Sequence, residues 1–200
     1  RGLGDVYKRQ MVTKLCADFL PKALRFDPLR DIQVLAPMHK GSGGIQSFNT
    51  ALQQRLRGQG AKANRIQPGD KVMQTRNNYD KGVFNGDFGI VLAQDPESGV
   101  LDLDFDGARI SLERSEQNDL QLAYAVSIHK SQGSEFPAVI IPLLRQHSIM
   151  LARNLIYTAI TRGRKQVIIV GDPSAYAMAV KNAADTRRIT GLLARLRQQD

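Results

Sequence analysis

Apolar positions along this chain recur with two different periods, and the change of period divides it into three stretches. In residues 11–20, Val12, Leu15, Cys16 and Phe19 sit at helical spacing, and Pro21 follows as a stop. Residues 31–36 (DIQVLA) read as a buried strand ended by Pro37. A glycine-rich turn at 39–44 then leads into a helix over 45–57, with Ile45, Phe48, Leu52 and Leu56 on one face. From 68 to about 120 the period shortens. Residues 71–75, 88–93, 100–105 and 109–113 are short strand-like runs separated by turn signals such as Asn85-Gly86-Asp87 and Asp106-Gly107. After 120 the longer grammar returns: a strand over 122–128, a polar turn, and a second apolar run over 138–144. A helix over 151–160, a strand over 166–170, and helices over 175–183 and 187–197 complete the pattern.

Strand, glycine turn, helix is the order of an α/β fold, and all-apolar runs such as Val139-Ile140-Ile141 suit a parallel sheet covered on both faces. The middle stretch predicts a small β-barrel inserted into that frame. The expected division is therefore 11–67 and 121–200 as two parts of one α/β domain, with 68–120 as the insert. Residues 1–10 (RGLGDVYKRQ) lack the apolar run of a signal peptide and are expected to be non-native or disordered.

Composition narrows the possible partners. Apolar residues make up 42% and charged residues 24%, which is ordinary globular usage. The formal charge of +9 favours a polyanion, because each neutralised phosphate releases counterions, but charge alone does not identify one. Cys16 is the single cysteine, which excludes an internal disulfide and a thiolate metal cluster and suits a reducing cytoplasm. No stretch reaches the roughly 18 apolar residues of a membrane helix. The histidines at 39, 129 and 147 are dispersed, so no metal site is expected.

Three segments carry candidate chemistry. Residues 124–136 (YAVSIHKSQGSEF) run off a strand and deliver Ser127, His129, Lys130 and Ser131 to what should be its C-terminal edge, where open α/β sheets bind ligands. Hydroxyls, a cation and backbone N–H groups near Gly133 suit a phosphate backbone, and Glu135 suits a ribose hydroxyl. An ordinary polar loop has the same composition. Residues 153–165 (RNLIYTAITRGRK) place Arg162, Arg164 and Lys165 at the last turn of a helix. A cation there can meet a phosphoryl group bidentately, or simply balance the helix dipole. Residues 37–44 (PMHKGSGG) follow a strand but lack the spacing of a phosphate-binding loop, leaving Lys40 as their one candidate ligand contact. On the insert, Lys71, Arg76, Asn77, Asn78, Tyr79 and Lys81 read equally well as hairpin turns or as a rim that holds a backbone and stacks a base.

Taken in order, these segments resemble the C-terminal motor domain of RecD-like, superfamily 1 DNA helicases and the related TraA type. Residues 34–41 (VLAPMHKG) look like helicase motif IV. Residues 69–79 (GDKVMQTRNNY) with 83–89 (VFNGDFG) are similar to the start of that family's Src-homology-like barrel. Residues 123–136 look like motif V and 155–164 (LIYTAITRGR) like motif VI. The resemblance spans 31–172 and implies a RecA-like, P-loop NTPase-type fold. It implies that Arg162 is an arginine finger, and that Gly133, Glu135 and Lys40 lie near nucleotide. It further implies that Ser127, His129, Lys130 and Ser131 grip single-stranded DNA, with 5′–3′ polarity. The family's P-loop motifs are absent from this sequence. ATP and Mg²⁺ are thus expected to be held mainly by an N-terminal RecA-like domain, and the chain alone is not expected to hydrolyse ATP. Two alternatives stay open: a non-catalytic basic module that binds single strands, and the helicase part of a conjugative relaxase.

Overall fold

A computed structural model describes residues 2–58, 64–144, 147 and 152–182. Four strands form a parallel sheet: β1 (Ile32–Ala36), β7 (Ala125–Ser127), β8 (Phe136–Leu143) and β9 (Gly163–Gly171), in the order β7-β1-β8-β9. Helices α1 (Gly2–Lys14), α2 (Leu20–Leu24) and α3 (Ile45–Arg57), with α4 (Arg153–Ile160) and α5 (Pro173–Lys181), accompany it. Alternation along the strands divides the core between the two faces. Ile32, Val34, Ala36, Ala138 and Ile140 pack with Phe48 and Leu52 of α3. Leu35, Val139, Ile141 and Leu143 pack with Ile156 and Ala159 of α4 and Ala179 of α5. This is the α/β sheet covered on both faces that the apolar runs predict, except at the edge strand β9, which is only partly covered.

Among the described residues, strands β2 (Lys71–Gln74), β3 (Phe88–Gln94), β4 (Leu101–Phe105), β5 (Ala108–Leu112) and β6 (Leu120–Leu122) pair only with one another. They form an antiparallel sheet in the order β5-β4-β3-β2-β6. It has its own core of Val72, Val91, Leu101, Leu103, Phe105 and Leu112. Among the described residues β5 and β6 remain its edges, so pairing makes an open sheet; the expected barrel closure is not formed by strand pairing.

Several local expectations are corrected. Of the two readings of residues 1–10, non-native or disordered, the helix bears on disorder alone: residues 2–10 lie in α1, where Arg9 Nη1 donates to Ser47 Oγ at 2.7 Å. Pro21 does not end the helix. A π-helical turn at Leu15–Phe19 re-registers the hydrogen bonds, with Leu20 N–H donating to Leu15 O, and Pro21 opens α2 where a missing N–H costs little. The apolar run 122–128 is not one strand: β6 belongs to the antiparallel sheet and β7 to the parallel one. Burial in two sheets in succession erases the polar break that would have separated them. The helix expected over 187–197 lies outside the described residues.

Two glycines are demanded by the backbone. Gly171 pairs with Leu143, and a Cβ there would lie 2.0 Å from Leu143 O, so a side chain at this point would force β8 and β9 apart. Gly133 has φ +88, a left-handed conformation that side chains disfavour.

Candidate functional site

The loop from Ile128 to Glu135 connects opposite edges of the parallel sheet. Register fixes this: Ser127 pairs with Ala36 at the end of β1, whereas Ala138 pairs with Ile32 at its beginning. At about 3.3 Å per residue, Ser127 and Phe136 are separated by roughly 20 Å along the strand direction. The candidate residues consequently fall into two clusters, one at each edge.

At the N-terminal edge, α4 ends at Ile160 and the chain turns at Arg162 into β9. Arg162 Nε donates to Thr158 O at 3.3 Å, Nη1 to Ser134 O at 3.3 Å and Nη2 to Thr161 Oγ1 at 3.4 Å. Its carbonyl accepts from Phe136 N at 2.8 Å. The guanidinium is half-buried and aimed by long bonds to neutral oxygens, and it forms no ion pair with any described acid. Its charge is therefore oriented but not neutralised. Gly133 and Glu135 lie in the same loop. Glu135 pairs with Arg164 at 3.3 Å, both largely exposed, a contact worth at most about 1 kcal/mol. The expectation that Arg162, Arg164 and Lys165 share the last turn of a helix is corrected: Arg164 and Lys165 belong to β9, because Gly163 already pairs with Phe136.

At the C-terminal edge stand the turn after β1 and the turn after β7. Ser127 Oγ accepts from Lys130 N at 3.2 Å, ahead of a short 3-10 turn, His129–Ser131. His129 and Lys130 project into solvent. Ser131 does not: it is fully buried, and its hydroxyl donates to Ile128 O at 2.7 Å. Direct contact of Ser131 with DNA is thereby corrected to a structural role in shaping the turn. A groove of about 530 Å³ opens here, lined by His39, Gln46, Asn64, Gln121, Ser127 and Lys130. Gln46, Asn64 and Gln121 were not singled out from sequence, since isolated amides carry no spacing signal. Asn64 is held by its left-handed backbone (φ 62) and by Thr50 Oγ1 at 2.6 Å. Lys40 is exposed in the turn after β1 and so belongs to this edge. It is separated from Arg162 by the length of the sheet, which corrects its expected place beside the same nucleotide. His147 Nε2 lies 3.2 Å from Gly43 O and supports that turn; burial lowers its basicity, opposed by the Gly43 carbonyl.

The two sheets meet at a polar seam. Arg30 of the segment before β1 pairs with Asp104 of β4 at 2.7 Å. Asp70 is fully buried and accepts from Gln53 Nε2 (2.7 Å), Gln67 N (2.8 Å) and Tyr124 OH (2.8 Å). Burial and the Asp70 charge hold the Tyr124 phenol well above its usual range, so it remains a donor. Lys71 is also buried: Nζ donates to Ile32 O at 3.2 Å and lies 5.6 Å and 5.4 Å from the ring centres of Phe88 and Phe136. Among the described residues no group of three His, Cys, Asp or Glu side chains is placed to hold a metal ion. No described helix is long and apolar enough to cross a membrane.

Comparison with known proteins gives two family matches. Residues 122–170 match the UvrD-like helicase C-terminal domain, and residues 48–105 match the ATP-dependent RecD-like DNA helicase SH3 domain. The ATP-dependent RecD2 DNA helicase of Deinococcus radiodurans is 41% identical over 170 residues, covering 83% of this chain and 23% of that protein. The RecBCD enzyme subunit RecD of Mycolicibacterium smegmatis is 30% identical over 171 residues, covering 84% of this chain and 30% of that protein. The chain thus spans less than a third of the length of either relative. Among solved structures, Pif1 helicase from Bacteroides in complex with ADP-AlF3 and ssDNA aligns with TM-score 0.60 at 17% identity. That alignment covers 98% of this chain and 52% of the Pif1 chain, and at that identity it speaks to the fold alone.

Proposed function

The chain belongs with the RecD-like helicases, as a portion of their C-terminal region, and from that premise we propose that it is the second motor domain of an ATP-dependent DNA helicase. Residues 11–67 and 121–200 are assigned to the RecA-like domain, and 68–120 to an inserted SH3-type unit built on the open antiparallel sheet. Translocation is 5′–3′, and the protein works in the cytoplasm. The observation that carries this reading is Arg162: a part-buried guanidinium, aimed by Thr158 and Ser134 and paired with no described acid. A cation so placed is available to an anion from outside the chain.

The donor set here fits only part of a nucleotide. Arg162 offers the fork that a γ-phosphate accepts, with Gly133 and Glu135 beside it, but the sequence has no P-loop motif and, among the described residues, no metal-binding group accompanies them. ATP and Mg²⁺ are accordingly assigned mainly to an N-terminal RecA-like domain, and ATP supplies the phosphoryl group on which that enzyme acts. Arg162 would stabilise charge at the γ-phosphate oxygens. At the other edge, Lys130, His129 and Ser127 would hold the single-strand backbone, with Gln46, Asn64 and Gln121 adding neutral donors along the groove. Because one loop carries both Ser134, which touches Arg162, and Lys130, movement at the phosphate would be felt at the DNA.

The reading is tested by measuring single-strand affinity of the complete enzyme with and without a non-hydrolysable ATP analogue. A change of at least several-fold, abolished in Arg162→Lys, is expected. Equal affinity with and without nucleotide would leave a non-catalytic binding module as the better description. Lys130→Ala is expected to weaken binding of all single-stranded sequences alike and to lower the slope of log affinity against log salt by about 0.7. Weakening confined to one base sequence would remove Lys130 from the backbone contact.

A further inference from the structure

Lys71 raises a question that DNA binding and nucleotide chemistry leave untouched: why an ammonium is buried at the seam between the two sheets. A methionine would fill the same space without the cost of desolvating a charge. What the charge adds is directional. Its partners come from three different elements: Ile32 O at the start of β1, the ring of Phe88 on β3, and the ring of Phe136 at the start of β8. The two rings also meet edge to face at 5.5 Å. Phe136 is in turn the residue whose N–H donates to Arg162 O at 2.8 Å, two positions after Ser134, whose carbonyl receives Arg162 Nη1. The short segment from Ser134 to Phe136 therefore holds Arg162 by both backbone and side chain, and Lys71 holds that segment.

We propose that Lys71 is a positioning residue for Arg162: its ammonium clamps the inserted sheet to the base of β1 and β8 and so fixes the turn that presents the guanidinium. The inference rests on the arginine-finger reading above. It adds that the inserted sheet sets the geometry of the nucleotide cleft as well as lying beside the DNA. The clamp depends on its proton, because a neutral amine has no charge for the two ring faces to attract. Burial lowers Lys71 to about 8, opposed by the charges of Asp27, Asp31 and Asp106. Arg30, Asp104 and Glu135 line the same cavity and complete the charged groups around it. The Cys16 thiol, pushed up to about 12 by burial, stays protonated across the same range. The attraction to the two rings is therefore strongest below about pH 8 and weakens above it, while the neutral amine can still donate to Ile32 O.

The test uses the complete enzyme as wild type, Lys71→Arg and Lys71→Met, with ATP turnover, KM for ATP and single-strand affinity measured from pH 7 to pH 9. One unit above its midpoint roughly a tenth of the clamp remains charged. Wild-type kcat is expected to fall by up to about tenfold at pH 9, with KM for ATP and DNA affinity held within twofold. Lys71→Arg should stay flat across the range, and Lys71→Met should show the lowered kcat already at pH 7. Melting temperature and the ring resonances of Phe88 and Phe136 are read in parallel. In wild type those resonances should titrate near pH 8, and in Lys71→Met they should not.

A folded Lys71→Met enzyme with wild-type kcat, or an alkaline fall that persists unchanged in Lys71→Arg, overturns the proposal. So does ring titration without any change in kcat, which would leave Lys71 a purely structural contact. Failure of the finger reading looks different: Arg162→Ala would turn over ATP normally while the rings still titrate.

Discussion

Arg162→Ala in the complete enzyme is expected to lower ATP turnover by about 10³-fold or more while nucleotide affinity stays within a few-fold. The asymmetry follows from where the guanidinium stands. It is anchored to Thr158 O and Ser134 O at 3.3 Å, bonds too long and too neutral to satisfy its charge, so most of its electrostatic reach is available to a phosphoryl group. Ground-state nucleotide would be gripped by backbone and lysine groups on the other motor domain. Charge that develops only as the phosphoryl group transfers is what an inserted cation stabilises. Arg162→Lys should recover little, since a single ammonium cannot reproduce the planar fork or its two anchoring bonds. Steady-state ATP hydrolysis with a separate measurement of nucleotide binding decides the matter. Turnover within about threefold of wild type would take Arg162 out of the reaction.

The second large effect concerns stability. Asp70→Ala should destabilise the fold by about 3–5 kcal/mol, because the carboxylate is fully buried and three donors converge on it. Gln67 N in the approach to β2 and Tyr124 OH just before β7 would lose this acceptor, Tyr124 remaining buried, while Gln53 Nε2 on α3 would keep only its bond to Arg65 O. Arg57, 3.9 Å away and more than a third exposed, can turn to water and adds little. For a unit of this size the loss corresponds to a fall in melting temperature of roughly 10 °C. Asp70→Asn keeps the shape and one acceptor oxygen and should cost less than Asp70→Ala. Chemical denaturation is the appropriate measurement, and a loss below about 1 kcal/mol would show that the seam between the sheets tolerates an empty acceptor.

Much of the architecture was open to local reading. The apolar runs at Ile32–Ala36, Val139 and Val167 declared strands, and each is found in the parallel sheet; the first two are buried, whereas β9, at its edge, is only partly covered and exposes Ile169. The short period between 71 and 112 declared the second sheet. What failed did so for physical reasons. The run 122–128 gave no sign of changing sheets, since Leu122, Ala123, Tyr124 and Ala125 pack in cores on both sides of the break. Ser131 looked like a donor for DNA because a hydroxyl in a polar loop carries no mark of burial. Asp70 and Lys71, inside a quoted motif, showed nothing of their convergent partners, which come from residues distant in sequence.

The chemical inventory was local and therefore legible: a cation after an amphipathic helix, a basic turn after a strand, and glycines where the backbone turns left-handed or closes on its neighbour. The division of that inventory between two edges was not. Lys40 and Lys130 lie at one end of the strands, and Arg162 and Glu135 at the other. That division depends on β1 pairing with β7 and β8 in one register, Val34 with Ala125 and Ile32 with Ala138. Those pairings join residues that only the folded sheet brings together, and no periodicity within either segment encodes them.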